Sequence, residues 1–460
     1  GVARSKAPVE SAAPVYHPLT FRRGLVSSAR FAPDGKTVIY SASWEGAPLQ
    51  PFTTRPESPQ SQELQPVGAD ILSISSTGEM ALALGSKSFG FHRSGTLGRV
   101  PLVGGAPREI ADNVAWADWS PDGKSLAVVR EVNGREQLEY PFNKVLYVAD
   151  GWIGNPRISA DGERIAFLDH PIPDDDGGSV AVINLAGEKK TVSSGWDSIQ
   201  GLAWSPSGEI WFTATNTGGD RSLFGVNLSG RSRLLVRVPG ELTLMDVDHE
   251  GNVLMTRGND RSGMLVMAPG AAKEHDLSWL DWSTPYDISR DGQTILFSEG
   301  GEGGGPKYGA FLRKTDGSPA IRLGDGSPTS LSPDGKWVIQ RPNASPGQFF
   351  LVPTGVGEQK PLTHDNLNHL RARWLPDGKR FVFSGNEPGH GIRLFVQSMD
   401  GGPAKAITPE GVSAAGFQLS PDGTQIAATG ADRRPYFYSL SGGEPRPILG
   451  LKEGERAVGW

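Results

Sequence analysis

The stretch "WADWSPDGKSLAVVR", residues 116–130, places a Ser-Pro-Asp-Gly-Lys run between an aromatic segment and an apolar segment. A phosphate loop, a metal loop or a tight turn between two strands could each contain such a run. Ser opens a turn, Pro fixes φ at its second position, Asp bonds to nearby backbone, and Gly takes the position that needs a positive φ. The residue types therefore favour a turn.

The run recurs along the whole chain, which supports this interpretation. Its glycine appears ten times at intervals of 39 to 46 residues: Gly35, Gly78, Gly123, Gly162, Gly208, Gly251, Gly292, Gly335, Gly378 and Gly423. An apolar residue stands four positions before each glycine, and β-rich runs such as "SLAVVR" or "TILFSE" follow the turns. Two shorter strands then follow, as in "LFVQSMDGG" and "KAITP". The sequence predicts an all-β protein, a β-propeller of about ten four-stranded antiparallel blades.

The number of repeats bears on domain organisation. Single rings usually hold about 4 to 8 blades. Two tandem propellers are therefore favoured, the first at residues 17–270 and the second at residues 271–460. Residues 1–16 are predicted to be a linker. The alternative is one large ring of all the blades. The segment "HPLTF" (17–21) resembles a fourth strand and is predicted to close the first ring. The segment "RAVGW" (456–460) resembles the start of an eleventh repeat, so we expect the chain to be a truncated part of a longer protein.

Composition excludes several classes of protein. The net charge is -6 and the Lys and Arg residues are scattered, which argues against nucleic-acid binding. No apolar run approaches the roughly 20 residues of a membrane span, so no membrane insertion of this region is expected. The chain has no cysteine, which suits an oxidising compartment.

On these repeats the chain resembles TolB-like, WD-repeat-like propellers. Longer stretches, such as "LTFRRGLVSSARFAPDGKTVIYSASWEG" (19–46) and "WLPDGKRFVFSGNEPGHGIRLFVQSMDGG" (374–402), are similar to the C-terminal propeller region of membrane serine/threonine kinases of the acidobacterial type. The resemblance implies an extracytoplasmic sensor region, periplasmic or on the cell surface. Its partner would be a small molecule, a glycan, a peptide or a protein. The kinase catalytic half is absent from this chain, so no kinase activity is implied here.

The motifs with chemical meaning are weak. The turns fail the Walker pattern, and no G-x-S-x-G elbow occurs. We therefore expect this region not to be an enzyme and to need no cofactor; the alternative is a propeller hydrolase or lyase, or an accessory domain of a peptidase. In "LDHPIPDDDGG" (168–178), Asp174 and Asp176 are weak candidates for binding Ca²⁺.

A binding surface is the remaining prediction. Aromatic side chains near the first strands, and polar groups in the loops after the second strands, are expected to share one face of the propeller. The candidate ligand-binding residues are Trp44, Trp116, Trp152, Trp196, Trp279, Trp282, His170, His369, Asn386, Glu387 and His390.

Overall fold

The computed structural model describes residues 15–173, 175–217, 219–259, 261–305, 308–412, 416–451, 455 and 457–460. Apart from one helical turn, α1 (Gly301–Gly304), their regular structure is entirely β. The predicted all-β propeller fold is confirmed by the sheets given below. Within these ranges, no helix has the length and apolar character to span a membrane.

The first six repeats form blades 1 to 6. Blade 1 contains β1 (Gly24–Phe31), β2 (Val38–Trp44), β3 (Gln50–Arg55) and β4 (Ser58–Glu63). Blades 2 and 3 share one sheet of β5 (Ala69–Ile74), β6 (Glu79–Phe89), β7 (His92–Pro101), β8 (Arg108–Trp119), β9 (Leu126–Val132), β10 (Arg135–Glu139) and β11 (Val145–Val148). Blade 4 contains β12 (Trp152–Ile158), β13 (Arg164–His170), β14 (Gly178–Asn184) and β15 (Lys189–Trp196). Blade 5 contains β16 (Ser198–Trp204), β17 (Ile210–Thr215), β18 (Ser222–Val226) and β19 (Ser232–Val236), and blade 6 contains β20 (Glu241–Val247) and β21 (Val253–Gly258).

A short hairpin and four further blades follow. The hairpin pairs β22 (Leu265–Val266) with β23 (His275–Asp276). Blade 7 contains β24 (Trp282–Ile288), β25 (Thr294–Gly300), β26 (Gly309–Lys314) and β27 (Ile321–Asp325), and blade 8 contains β28 (Ser327–Leu331), β29 (Trp337–Arg341), β30 (Phe350–Pro353) and β31 (Lys360–Pro361). Blade 9 contains β32 (Asn368–Trp374), β33 (Arg380–Asn386), β34 (Arg393–Ser398) and β35 (Lys405–Ala406), and blade 10 contains β36 (Phe417–Leu419), β37 (Gln425–Thr429), β38 (Pro435–Ser439) and β39 (Arg446–Pro447).

The Ser-Pro-Asp-Gly runs are the turns between first and second strands. All ten repeat glycines have a positive φ, +69° at Gly123, which explains why glycine stands there. In each turn the glycine N–H donates to the carbonyl three residues earlier, as from Gly123 to Ser120 at 2.8 Å. The Ser120 hydroxyl also donates to Asp122 at 2.6 Å.

Polar side chains five residues before the turn glycines join neighbouring blades. Asp118 of blade 3 accepts a hydrogen bond from the Ile158 N–H of blade 4 at 2.8 Å. Asp246 of blade 6 accepts one from the Phe31 N–H of blade 1 at 3.0 Å. Because this last bond repeats the same geometry between the sixth and first blades, blades 1 to 6 close into a ring.

Apolar clusters between neighbouring sheets complete the ring. At the closure, Tyr40 and Trp44 of blade 1 pack in one cluster with Met245 and Leu254 of blade 6. Leu19 packs against this cluster, but residues 17–21 form no strand. A strand at 17–21 therefore does not close the ring. The side chain of Leu19 and the hydrogen bond from the Phe31 N–H to Asp246 make contacts at the closure instead.

Blades 7 to 10 form a second array with the same inter-blade bond. Asp287 of blade 7 accepts from the Leu331 N–H of blade 8 at 2.8 Å. At Ile158 and Phe31, the equivalent N–H donates to an aspartate of the preceding blade. The N–H of Ile288 instead donates at 2.9 Å to Oδ1 of the adjacent residue in the chain, Asp287. The Ile288 side chain is 47% exposed, unlike the buried Leu331 at the equivalent position of blade 8.

The hairpin β22–β23 packs on blade 7. Met264, Val266 and Leu277 share a buried cluster with Phe297 and Phe311 of that blade. Residue 270 therefore lies in a hairpin that packs with the blade after it. The domain boundary proposed near this residue stays a prediction.

Candidate functional site

The loops that follow the second strands in the ring meet the corresponding loops of the second array. The Tyr308 hydroxyl, after β25, donates to Asp175, after β13, at 2.8 Å. The Arg135 guanidinium, after β9, donates to the Gly389 carbonyl, after β33, at 3.3 Å. The two arrays thus lie with these loop faces toward each other.

A cavity of about 250 Å³ lies among the loops of blades 4 to 7. Its polar lining includes Asp176, Asp197, Ser198, Asp220, Arg221, Glu241, Asn259, Arg261, Asp281, Trp282 and Tyr308. Among the residues that the structure describes, five carboxyl groups and two guanidinium groups stand on these walls. The cavity is therefore suited to a polar ligand, and its excess of carboxylates favours a cationic group.

Arg221 is the buried centre of this lining. Its guanidinium forms an ion pair with Glu241 at 2.5 Å and lies 3.5 Å from Asp176. It also donates to the hydroxyls of Ser198 at 3.0 Å and Thr243 at 2.9 Å. These bonds fix the charges on one wall, so that a ligand meets them already oriented.

The carboxyl group of Asp176 has a raised pKa. Burial and the neighbouring carboxylate of Asp175 raise its pKa to about 6, against the opposing effect of Arg221. Ser198 donates to Asp176 at 2.6 Å and Gln200 donates at 3.0 Å. The group can therefore exchange a proton with a ligand under mild conditions.

Asp175 connects the ring to the second array. Its carboxylate accepts from Tyr308 at 2.8 Å and from the Asn343 side chain at 3.1 Å. Burial raises the pKa of Asp175, and the hydrogen bonds from Tyr308 and Asn343 oppose that effect. The pKa of Tyr308 is also raised, because it is buried beside Asp175 and Asp176.

Trp152 and His170 support the loop that carries these two carboxylates. Their rings stack with centroids 3.6 Å apart and planes 3° apart, and Phe91 stacks on Trp152 at 6.2 Å. The indole N–H of Trp152 donates to the Asp175 carbonyl at 2.8 Å. Both candidate residues are buried, so they hold the loop in place rather than offer an open aromatic surface.

Three other candidate tryptophans also pack within the ring. Trp44 is buried against Tyr40 and Phe52. Trp116 lies under the Arg93 guanidinium at 4.3 Å. Trp196 packs on Phe224 with ring centroids 4.7 Å apart. These contacts leave none of the three in the cavity.

The two candidate tryptophans before blade 7 differ from each other. Trp282 lines the cavity. Trp279 is 36% exposed, and the Arg313 guanidinium lies 5.3 Å from its ring centroid. Of the predicted aromatic residues, Trp282 is therefore the one that the structure brings into the cavity.

The candidates of blade 9 form a separate polar group. His369 is buried and bonds to Asp365 at 2.8 Å; burial lowers its pKa, and Asp365 opposes the effect. Glu387 pairs with Arg393. Burial raises the pKa of Glu387, but the hydrogen bond and charge of Arg393, a backbone hydrogen bond and the charge of His390 together lower it below its usual value.

Asn386 and His390 belong to the same loop. The Asn386 side chain donates to the His390 carbonyl, and the His390 ring bonds to Glu410 at 2.9 Å. None of these blade 9 side chains lines the cavity.

The calcium prediction concerns the loop 168–178. Asp174 lies outside the described residues, and Asp176 is engaged by Ser198, Gln200 and Arg221. Among the residues that the structure describes, no three His, Cys, Asp or Glu side chains are grouped to hold a metal. The expectation that the chain needs no cofactor, and the weaker possibility that Asp174 and Asp176 bind Ca²⁺, both stay predictions.

Sequence reasoning missed the residues at the centre of the cavity. Arg221 and Glu241 stand in ordinary loop contexts, "TGGDRS" and "VPGELT", with no motif around them. Their position is a usable signal: Arg221 follows the second strand of its repeat, His170 ends the second strand of blade 4, and Glu241 begins the first strand of blade 6.

Comparison with known proteins gives partial matches. No family model matches the chain. Over 94 residues, 20% of this chain and 14% of the relative, it is 32% identical to the uncharacterized peptidase YuxL of Bacillus subtilis (strain 168). The chain thus covers only a small part of that relative.

Solved structures with a similar fold include TolB from Acinetobacter baumannii, at 18% identity and a TM-score of 0.30, with 62% of this chain and 65% of that chain covered. They also include oligogalacturonate lyase from Vibrio parahaemolyticus, at 13% identity and a TM-score of 0.37, with 73% and 93% covered. The propeller fold itself rests on the sheet order given above.

The expectation that this region is not an enzyme is wrong. It was drawn from the lack of a familiar catalytic motif, yet the relative that the chain matches over 94 residues is named as a peptidase. Propellers carry catalytic groups on loops from separate blades, and short motifs do not reveal such groups.

Proposed function

We propose that this chain recognises peptides in the cavity between the ring and blade 7, as the ligand-binding propeller region of a larger protein. The observation that carries the proposal is the buried Arg221, held by Asp176 and Glu241 on a wall rich in carboxylates. Peptides carry ammonium and carboxylate groups at defined spacing, which such a wall can bind. The relative named as a peptidase supports the same ligand class.

The lining disfavours the other ligand classes. A neutral glycan usually stacks on several exposed aromatic rings, but of the candidate tryptophans Trp282 alone lines the cavity, while Trp44 and Trp152 are buried in packing contacts. An acidic glycan would meet five carboxyl groups in the cavity. Repulsion between like charges would weaken its binding.

Titration of the full chain with a pool of random hexapeptides, and separately with galacturonate oligomers, tests the proposal. We expect the peptides to bind and to raise the melting temperature, since a ligand of the folded state stabilises it. Glu241→Gln should weaken peptide binding at least tenfold, because it removes the charge that orients Arg221.

Glu209→Gln is the matched control. Glu209 also pairs with an arginine, Arg233, at 2.7 Å, but it stands at the turn end of blade 5 and does not line the cavity. This variant should bind peptides like the wild type. Binding of galacturonate oligomers without binding of peptides would contradict the proposal.

Catalysis in the same cavity is a second candidate, favoured by the pKa of about 6 at Asp176. A carboxyl group that titrates in this range can act as a general acid or base in hydrolysis or elimination. New amino termini in the peptide pool, detected by mass spectrometry, would support hydrolysis. The product should disappear with Asp176→Asn, and cleavage that persists unchanged in this variant would exclude the role.

The resemblance to membrane kinases adds a cellular setting to the proposal. In such a protein the chain would lie outside the cytoplasm, as its lack of cysteine also suits, and the bound peptide would be the signal. Peptide-dependent autophosphorylation of a protein that joins this chain to a kinase would support the setting. Autophosphorylation that ignores the peptide would count against it.

A further inference from the structure

The sixth repeat is divided between two places in the molecule. Its first two strands, β20 and β21, pair in the ring as blade 6. Its later residues form the hairpin β22–β23, which packs through Met264 and Val266 on blade 7. Among the described residues, β21 pairs only with β20.

The other five blades of the ring have a third strand at this place. In blade 5, for example, β18 pairs antiparallel with β17, from Ile210 opposite Val226 to Ala214 opposite Ser222. An edge strand without such a neighbour presents a row of backbone N–H and C=O groups to an added strand. The outer edge of β21, from Val253 to Gly258, is therefore a template for an extended segment of about six residues.

The direction of an added strand follows from the blade pattern. Third strands run antiparallel to second strands and begin near the end of the second strand, as Ser222 does beside Ala214. A segment added to β21 in this way begins beside Gly258. Gly258 and its partner on β20, Glu241, both line the cavity.

The charge of the cavity wall beside Gly258 suits the amino terminus of an added peptide. Glu241, Asp220 and Asp281 stand in the cavity wall, where the carboxyl groups of the described residues outnumber their guanidinium groups by five to two. An α-ammonium group entering there meets an excess of negative charge and can donate three hydrogen bonds. A strand running the other way would bring its carboxylate to the same acidic wall.

We propose that β21 binds an extended peptide as an added antiparallel strand, with the amino terminus of the peptide in the acidic cavity. This inference rests on the proposed peptide-binding function and specifies its geometry. The backbone of β21 supplies contacts that do not depend on peptide sequence, and the cavity supplies selection for a free amino end.

Modified hexapeptides test the two parts of this geometry. From the random pool, a tight-binding peptide is resynthesised with an acetylated amino terminus, and with N-methyl groups on either the odd or the even residues. We expect acetylation to weaken binding to the full chain at least tenfold. One N-methylated series should lose binding and the other keep it, because alternate residues of a strand bond to the same neighbour.

Hydrogen exchange supplies the independent readout. The amides of 253–258 that face away from β20 should exchange rapidly in the free chain and become protected when the peptide binds. If they are already protected in the free chain, a segment of the chain itself holds the third-strand place and the inference is wrong.

The outcomes separate this inference from the proposed function. If peptides bind and Glu241→Gln weakens them, while neither acetylation nor N-methylation matters, cavity binding stands and strand addition is overturned. If no hexapeptide binds at all, the proposed function falls and the inference falls with it.

Discussion

At the scale of single residues, Asp176 shows how burial sets chemistry in this fold. Burial and the carboxylate of Asp175 raise its pKa from 3.8 to about 6, although Arg221 opposes the shift. The folded chain therefore binds a proton at this group more strongly than the unfolded chain does. The stability that this gives is fully present below the unfolded pKa and is lost as the pH rises through about 6.

Asp176→Asn should remove this pH dependence. A shift of about two pKa units corresponds to on the order of 3 kcal/mol. The free energy of unfolding of the variant, minus that of the wild type, should therefore rise with pH by up to about this amount through the titration range. Denaturant unfolding of both chains across that range measures the difference, and a difference that does not change with pH would contradict the prediction.

Asp122→Asn is a control of opposite sign. Asp122 lies exposed in a hairpin turn, where the hydrogen bond from Ser120 lowers its pKa. Its ionised form is favoured by folding, so stability from this group is present above the unfolded pKa and is lost as the pH falls through the lowered folded pKa. The difference between this variant and the wild type should therefore fall, not rise, with pH.

At the scale of elements, the sequence predicts the hairpins well and their assignment to blades less well. Each turn glycine has the positive φ that its turn chemistry requires, because this is a local property of four residues. The placement of β22–β23 is a tertiary property. Residues such as Met264 and Val266 carry the pattern of a third strand, yet they pack on blade 7, and no local signal distinguishes the two places.

Met264→Ala tests this packing. Met264 is buried against Phe297 and Phe311, so the truncation should lower the free energy of unfolding by about 2 to 4 kcal/mol. Met267→Ala, in the same hairpin but 62% exposed, should change it by less than about 0.5 kcal/mol. Hydrogen exchange should accelerate in β25 of blade 7. Acceleration confined to β20 and β21 would instead place the hairpin in blade 6.

At the scale of the whole molecule, the site depends on two arrays meeting. Sequence patterns indicate which loops share a face, and Trp282 was found in this way. They do not show which loops of the ring face which loops of the second array, so Arg221 and Tyr308 could not be joined into one site. Contacts between residues far apart in the chain, such as Asp175 with Asn343, decide that arrangement.

Tyr308→Phe combined with Asn343→Ala should loosen the contact between the arrays. The pair removes two hydrogen bonds to Asp175, at 2.8 Å and 3.1 Å, without changing a charge. Each bond contributes about 0.5 to 1.5 kcal/mol, somewhat more to a charged acceptor, so we expect peptide affinity to fall roughly tenfold or more. Scattering should report a larger radius of gyration, because the loop faces separate while each blade stays folded.

The matched control is Tyr436→Phe, which removes a hydroxyl bonded to Asp432 within blade 10 and should alter neither quantity. Unchanged affinity and unchanged radius in the double variant would mean that the two hydrogen bonds to Asp175 are needed neither to hold the arrays together nor for recognition.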